Sequence, residues 1–213
     1  MYELILFCLF PLIELNNLLF NLFYSITGFS DIAVILLSIT ISMLLMPLLK
    51  FAKITEEKFS LKLSFVNEDI NKLPAGLKGE HRFKEIEKIY NKFSYHPIEN
   101  IKSGMTFIYL LPFFLSIFLF FQENVDGFYN TGLFIKDLSK SDGFLSGINI
   151  VPILIFIINV IDSRFRYQDT NNIKNIYLLT SLMICILIYN LPLCMTLYWA
   201  TSSIISLTGS LYR

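Results

Sequence analysis

The side chains in this sequence that could do chemistry are hydroxyl and amide groups set within long apolar stretches. Ser38 and Ser42 are four residues apart and share a helical face, and Thr196 and Ser203, seven apart, share another. Such groups either pack helices together in a membrane bundle or line a polar cavity that opens toward the cytoplasm. The apolar stretches contain Ser38, Thr40, Ser42, Asn159, Thr180, Ser181, Thr196, Thr201, Ser202 and Ser203.

Patterns of covalent catalysis are missing from the sequence. It contains no P-loop, dinucleotide-binding glycine motif, GxSxG or HExxH. His81 and His96 lie in a charged segment, and neither has a nearby Cys, Ser or carboxylate set that would define a site, which predicts solvated histidines. Cys8, Cys185 and Cys194 lie in apolar runs without ligand spacing. We therefore expect no catalytic residue, no metal, no cofactor and no enzymatic activity.

Composition indicates a membrane protein. Of the 213 residues, 54% are hydrophobic and 16% charged, and the mean hydropathy is +0.60. Soluble domains contain about 25% charged residues. The 17 basic and 17 acidic residues balance, which excludes the basic excess of a nucleic-acid-binding protein.

Apolar stretches of the required length predict five membrane spans in an all-α polytopic protein. The last stretch is too long for one crossing and is broken at Asn190–Pro192. No Asp, Glu, Lys, Arg or His lies within the apolar stretches 32–49, 105–121, 148–161 and 176–211, which argues against a proton-coupled transporter or ion pump but not against a passive pore. The predicted spans are 31–49, 105–121, 147–162, 176–190 and 191–210.

The first 30 residues predict an interfacial helix. Glu14, Asn17, Asn21 and Tyr24 recur at helical spacing opposite a run of leucines, as in helices that lie in the membrane surface. A spanning helix is the alternative. The start of the sequence has no basic segment and no small-residue cleavage site, so we expect no removable targeting segment.

The distribution of positive charge predicts the orientation. Of the 17 basic residues, only Lys136 and Lys140 lie in the segment 122–146; the others lie in 50–104, in 163–175 and at the C-terminus. Basic residues are retained on the cytoplasmic side. The N-terminus is therefore predicted outside and the C-terminus inside, with 122–146 as an external loop.

The cytoplasmic segment 50–104 predicts an antiparallel helical hairpin. Two apolar stripes at helical spacing are separated by a break at Pro74–Gly76, and Glu80 precedes Lys84 by four residues. The second stripe consists of Phe83, Ile86, Tyr90 and Phe93. In the external loop we expect turns and a short interfacial helix over Ile135–Ser139.

Together, several short segments resemble the YidC family of membrane protein insertases. The Tyr198–Ser203 run after Leu191–Pro192 resembles the family's C-terminal span most strongly. The others, in chain order, are Pro11–Leu12 with Gly28–Ser30, Pro47–Lys50, Tyr90–Lys92 with His96–Ile98, Leu111–Phe114, and Leu133–Ser139 ahead of Pro152.

The resemblance implies an insertase and chaperone of the bacterial cytoplasmic membrane, working without covalent chemistry through a short polar groove open to the cytoplasm. Its partners would be newly made membrane proteins, lipid and the general translocation channel. The groove-lining candidates are Ser38, Ser42, Asn159, Thr180, Thr196 and Ser203. Phe83, Ile86, Tyr90 and Phe93 are candidates for client contact by the hairpin, with packing inside the hairpin as the alternative role.

Two departures from the family pattern bear on specificity. Counting back from Pro47, the family's single groove arginine falls at Ser42, so this sequence lacks that positive charge. The sequence given ends at Arg213, so we expect no basic tail for ribosome contact, which leaves the cytoplasmic loops.

Two other functions are left open by the residues. The scaffold could serve as a dedicated partner or assembly factor of one membrane complex, or as a passive pore or lipid scramblase. A fixed-ratio partner on purification would indicate the first, and flux through liposomes without a client would indicate the second.

Overall fold

The computed structural model describes residues 2–74, 76–99, 105–144, 147–166 and 171–211, and the regular elements in these ranges are helical. Ala75, Lys102 and Arg213, which the sequence analysis used, lie outside them. A short 3-10 helix, Val125–Phe128, follows the fourth α-helix. The α-helices are α1 (Tyr2–Thr27), α2 (Ser30–Asn71), α3 (Gly79–Lys92), α4 (Met105–Asn124), α5 (Ile150–Arg166), α6 (Asn171–Ile188) and α7 (Leu193–Leu211).

Contacts divide the chain into two units. The bundle unit comprises Met1–Leu44 and Phe114–Arg213, and the hairpin unit comprises Leu45–Phe113. The helix α2 is continuous although it contains Pro47, so the predicted first span and the first arm of the hairpin belong to one helix. No glycine lies between Gly28 and Gly76 to interrupt it.

In the described part of the chain, two helical segments are long and apolar enough to cross a membrane. They are Leu9–Thr27 in α1 and Ser30–Ala52 in α2. Tyr109–Glu123 and Tyr177–Ile188 form shorter apolar helices. The all-helical fold is confirmed, whereas the five spans and their orientation stay predictions.

The helix α1 presents three different faces. Ile13 and Asn16 are buried in the bundle unit, and the Asn16 amide donates to the Ser116 hydroxyl of α4 over 3.4 Å. Leu22 and Ile26 are exposed on an apolar face, and Asn21 is exposed on a polar one. An apolar face open to the surroundings beside a polar face suits a helix that contacts both lipid and water.

An aromatic cluster forms the core where α1, α4 and α7 meet. The ring of Phe20 lies 5.6 Å from Phe120 and 5.2 Å from Phe128. Phe121 lies 5.6 Å from Phe128 and 5.9 Å from Tyr198. Tilted and edge-on ring pairs at these distances are favourable. The cluster therefore fixes the first helix against the rest of the bundle unit.

Asp31, at the start of α2, anchors the loop between α4 and α5. This carboxylate is buried and accepts hydrogen bonds from the backbone N–H groups of Ile32, Leu133, Phe134 and Ile135, at 2.9, 3.1, 2.8 and 3.4 Å. The first turn of a helix favours negative charge. One carboxylate thereby satisfies four backbone donors and ties the loop to the end of α2.

The expected interfacial helix over Ile135–Ser139 was wrong, because this segment contains no helix. The N–H of Ile135 bonds to Asp31 instead of to the turn before it. Leu138 is fully buried, donates its N–H to the Phe128 carbonyl and accepts from the Cys194 N–H at the start of α7. The backbone groups of Ile135 and Leu138 that make these distant contacts are not available for a helical turn.

We expect Asp31→Ala to destabilise the protein by at least about 2 kcal/mol, because it leaves several buried N–H groups without their charged acceptor. The check is thermal unfolding in detergent, with Asp126→Ala as the matched control because Asp126 is an exposed acid. Equal melting temperatures for the two variants would contradict the anchoring role.

Candidate functional site

A buried carboxylate is the centre of a polar network in the bundle unit. Asp162 on α5 is fully buried. Its Oδ2 accepts from the Tyr177 hydroxyl of α6 at 3.1 Å and from the Ser206 hydroxyl of α7 at 3.3 Å. The Ser210 hydroxyl donates to Oδ1. A single side chain therefore joins three helices through hydrogen bonds.

The network continues between α5 and α6. The Tyr177 hydroxyl lies 3.4 Å from Asn159 Oδ1 as well as near Asp162, so it can donate to either. Asn159 Nδ2 donates to the Ser181 hydroxyl over 3.0 Å. Because Asn159 and Asp162 are three residues apart, they lie on the same face of α5. Asn159 and Asp162 are thus both hydrogen-bonded to side chains of the neighbouring helices.

A row of residues on α7 leads from this network toward α2. Tyr198, Ser202, Ser206 and Ser210 follow at intervals of four. The Ser38 hydroxyl of α2 donates to the Tyr198 carbonyl over 2.8 Å, and the Ser42 hydroxyl lies 3.4 Å from that of Ser202. Residues four apart form a continuous ridge on a helix. The first part of this ridge contacts α2, and the second part contacts α5.

The six groove candidates therefore lie in different surroundings. Ser38 is fully buried, and Ser42 and Ser203 are half-buried. Asn159 belongs to the network around Asp162. Thr180 is exposed on α6. Thr196 is buried in the first turn of α7, where it bonds to the Leu193 carbonyl, about 15 Å along the axis from Ser206. Their role as groove lining stays a prediction.

Asp162, Tyr177, Ser206 and Ser210 were missing from the candidates. Asp162 directly follows an apolar stretch and precedes Arg164, so the sequence suggests a loop residue at the membrane surface. The helical spacing of polar residues in the sequence could have identified Asp162 as part of a polar helix face. Asp162 lies one helical turn after Asn159, and Ser206 and Ser210 continue the interval of four that begins at Ser202.

The hairpin unit has its own apolar core. Phe59, Val66 and Tyr95 are buried, and Tyr90 and Phe93 pack against them. The Tyr95 ring lies 5.0 Å from Tyr90 and 6.2 Å from Phe59. Leu63, Ile70 and Ile89 complete the cluster. Two of the four residues considered for client contact therefore pack inside the hairpin.

The other two hairpin candidates lie further from the core. Phe83 is 66% exposed, and Ile86 is half-buried. The expected Glu80–Lys84 pair is present, with 2.8 Å between its charged atoms. An exposed phenylalanine on the surface of a helix is available for contact with another apolar surface.

Ion pairs also connect the two arms of the hairpin unit. Lys62 donates to the Ser94 carbonyl over 2.6 Å and pairs with Glu99 at 2.9 Å. Lys92 of α3 pairs with Asp69 of α2 at 2.7 Å, and this hydrogen bond holds the pKa of the Asp69 carboxyl below its usual value. These ion pairs are only partly buried, so they fix the register of the arms more than they stabilise them.

In the described part of the chain, no group of three His, Cys, Asp or Glu side chains is arranged to hold a metal ion. His81 is an exposed residue of α3, and His96 follows that helix in the hairpin unit. The polar groups of the bundle unit can bind, orient or hydrate a polar segment through hydrogen bonds.

Comparison with known proteins identifies the family. The 60Kd inner membrane protein family matches residues 22–212, so the chain belongs to this family, in which the YidC and Oxa1 proteins are grouped. A crystal structure described as an active YidC insertase with its first transmembrane domain resolved is similar, with a TM-score of 0.60 and 18% identity. The likeness covers 98% of this chain and 46% of that chain. No curated protein matches.

These findings confirm the resemblance drawn from the short sequence segments. At 18% identity, the structural likeness shows the fold alone. This chain spans less than half the length of that insertase chain. The assignment to the family therefore rests on the family match over residues 22–212.

Tyr95→Ala and Phe83→Ala separate packing from client contact in the hairpin unit. Tyr95 is 8% exposed in the core, and its truncation should destabilise the protein by about 3 kcal/mol. Phe83→Ala should leave stability within about 0.5 kcal/mol, since the side chain is exposed, and should lower crosslinking of clients to the hairpin. Unfolding curves and crosslink yields measure the two effects. Reduced stability without reduced crosslinking in Phe83→Ala would contradict the assignment.

Proposed function

We propose that this protein is an insertase and chaperone that helps newly made membrane proteins enter and fold in the bacterial cytoplasmic membrane. Family membership and the insertase-like fold support this proposal. The single observation that carries it beyond the family is the polar network around Asp162, set among apolar helices. Polar groups at membrane depth are costly and are found where a protein handles polar cargo.

The proposal includes the five-span topology with the N-terminus outside and the C-terminus inside. In this orientation Asp162, Ser206 and Ser210 lie in the cytoplasmic half of the membrane, because α5 and α7 both run from outside to inside. The helix α1 lies in the outer interface. The hairpin unit, including Phe83, faces the cytoplasm and receives the client first.

The mechanism follows from the solvent properties of the bilayer. A polar loop or terminus that crosses hydrocarbon has no water to replace its hydrogen bonds, and each unsatisfied group costs several kcal/mol. A groove lined by Ser42, Ser202, Ser206 and Asn159 would supply such bonds over part of the path. Burial of the client's apolar span in lipid then drives release. No covalent step is required, and the proposal does not include enzymatic activity.

Newly made membrane proteins and lipid are the proposed partners, with the general translocation channel as a further one. Contact with ribosomes would use the cytoplasmic loops. Specialisation as the partner of a single membrane complex is the competing function. It is favoured by Ser42, a residue without charge at the position where the resemblance implies the family's groove arginine.

Photo-crosslinking from position 42 in growing cells distinguishes these two functions. Leu187, a highly exposed apolar residue of α6, serves as the control position because it should contact lipid. Many newly made membrane proteins crosslinked from position 42, and few from position 187, are expected for an insertase. One dominant, long-lived protein would instead identify a dedicated partner. Equal client yields at both positions would contradict a groove at Ser42.

Ser42→Arg should improve insertion of clients whose translocated segments are acidic. An opposite charge about 6 Å away contributes roughly 3 kcal/mol at an effective dielectric constant near 20, and water in the groove reduces this to a few-fold gain in yield. The charge should also lower stability by up to about 3 kcal/mol. Protease protection of the translocated segment measures insertion, with Ser42→Gln as the uncharged control. Unchanged insertion by a folded variant would argue against Ser42 facing the groove.

A further inference from the structure

The loop between α4 and α5 presents two adjacent apolar side chains at its surface. Phe134 is 81% exposed, the highest value for a large apolar side chain among the described residues, and Leu133 is 47% exposed. We call Leu133 and Phe134 the apolar pair. Apolar side chains that are exposed together mark a contact with a membrane or with a partner.

Hydrogen bonds hold the apolar pair in this position. The N–H groups of Leu133 and Phe134 donate to the Asp31 carboxylate over 3.1 and 2.8 Å, and the N–H of Ile135 follows at 3.4 Å. Successive N–H groups that converge on one anion form a concave backbone. Gly132 lets the turn close, because a Cβ at this position would overlap the Ile135 carbonyl oxygen. The exposure of the apolar pair is therefore built into the fold.

The attachment to α2 places the apolar pair at the edge of the bilayer. Asp31 is the second residue of Ser30–Ala52, a segment long and apolar enough to cross a membrane. The first residue of this segment also bonds to the loop, since its N–H donates to the Thr131 carbonyl over 3.0 Å. A spanning segment ends where the hydrocarbon meets the lipid headgroups. The apolar pair therefore lies at the depth of this boundary.

Charge beside the apolar pair favours lipid as its partner. Lys136 is exposed and forms no ion pair within the described ranges, whereas Lys140 pairs with Asp137 at 3.2 Å. Apolar side chains next to a free lysine match the membrane interface, where acyl chains adjoin phosphate groups. Ile26, four residues before the start of α2 and 72% exposed, adds an apolar contact at the same edge.

We propose that the apolar pair and Lys136 anchor this loop in the membrane interface. Phe134 lies among the upper parts of the acyl chains, and the Lys136 ammonium binds a lipid phosphate. The inference goes beyond the proposed function and does not depend on it, because it requires only that Ser30–Ala52 cross the bilayer. Since Asp31 joins the anchor to α2, contact between loop and lipid fixes the depth of the first turn of this helix.

The test measures the depth of position 134 by tryptophan fluorescence of the full-length protein in phospholipid liposomes. Trp199, the single tryptophan of the sequence, is changed by Trp199→Phe, and Phe134→Trp provides the probe. The lipid control is Leu187→Trp, and the water control is Glu87→Trp on an exposed face of α3. Lipids brominated on the acyl chains should quench the probes at 134 and 187 at least threefold more strongly than the probe at 87.

Other occupants of the apolar pair give different results. If aqueous iodide quenches the probe at 134 as strongly as the probe at 87, and brominated lipid does not quench it, the apolar pair faces water and the proposal is overturned. Quenching by neither reagent also overturns it, because a protein surface, such as a second copy of this chain, then covers the apolar pair.

Variants of Lys136 test the contact with phosphate through the same probe. Lys136→Glu should lower lipid quenching at position 134 at least twofold, because a carboxylate is repelled by the phosphates. Lys136→Arg should keep the quenching, as should the control Lys88→Glu on the exposed surface of α3. Equal quenching in the Glu and Arg variants at position 136 overturns the proposed anchor.

Photo-crosslinking from position 134 gives a second measurement, which leaves Trp199 in place. A photo-reactive residue at this position is activated in the same liposomes, and the adducts are identified by mass spectrometry. Adducts with phospholipid are expected in excess over those formed from position 87. Adducts with protein alone overturn the proposal.

Discussion

The pairing of polar groups inside an apolar helical bundle is the constraint on which this structure depends. Among the described residues, no buried side-chain nitrogen or oxygen is left without a hydrogen-bond partner. Asp31 satisfies four N–H groups at one end of α2, and Asp162 gathers hydroxyl groups at the far end of α5 and α7. Because unsatisfied groups are so costly in hydrocarbon, these two carboxylates fix helix positions that apolar packing alone would leave free.

The same constraint connects the fold to the proposed insertion of membrane proteins. A client's polar segment loses its hydrogen bonds to water when it enters hydrocarbon. Asp162, Asn159 and Ser42 avoid the same penalty because each is hydrogen-bonded to another side chain. In the proposed function, the internal hydroxyl groups of the bundle lower that penalty by bonding to the client's polar groups. The hairpin unit contributes differently: its core of Phe59, Val66 and Tyr95 is closed on itself, and Phe83 is left exposed for contact.

Much of the architecture was predictable because its signals are local. Apolar stretches and the break near Pro192 indicate helices and a turn, and the stripe ending in Tyr90 and Phe93 indicates hairpin packing. The loop over Ile135–Ser139 was not predictable, since its conformation depends on Asp31 about a hundred residues away. Asp162 was missed for the same reason: its burial comes from α6 and α7, and nothing adjacent to it in sequence shows that these helices cover it.

The central claim is that this chain lowers the barrier for moving a polar segment across a bilayer. The most direct measurement is reconstitution of the purified protein in liposomes, synthesis of a short membrane-protein client in their presence, and protease digestion of whatever remains outside. Our account predicts a translocated segment protected well above the level in liposomes that contain an unrelated helical membrane protein. Protection equal to that control, with the protein folded and correctly oriented, would contradict the account.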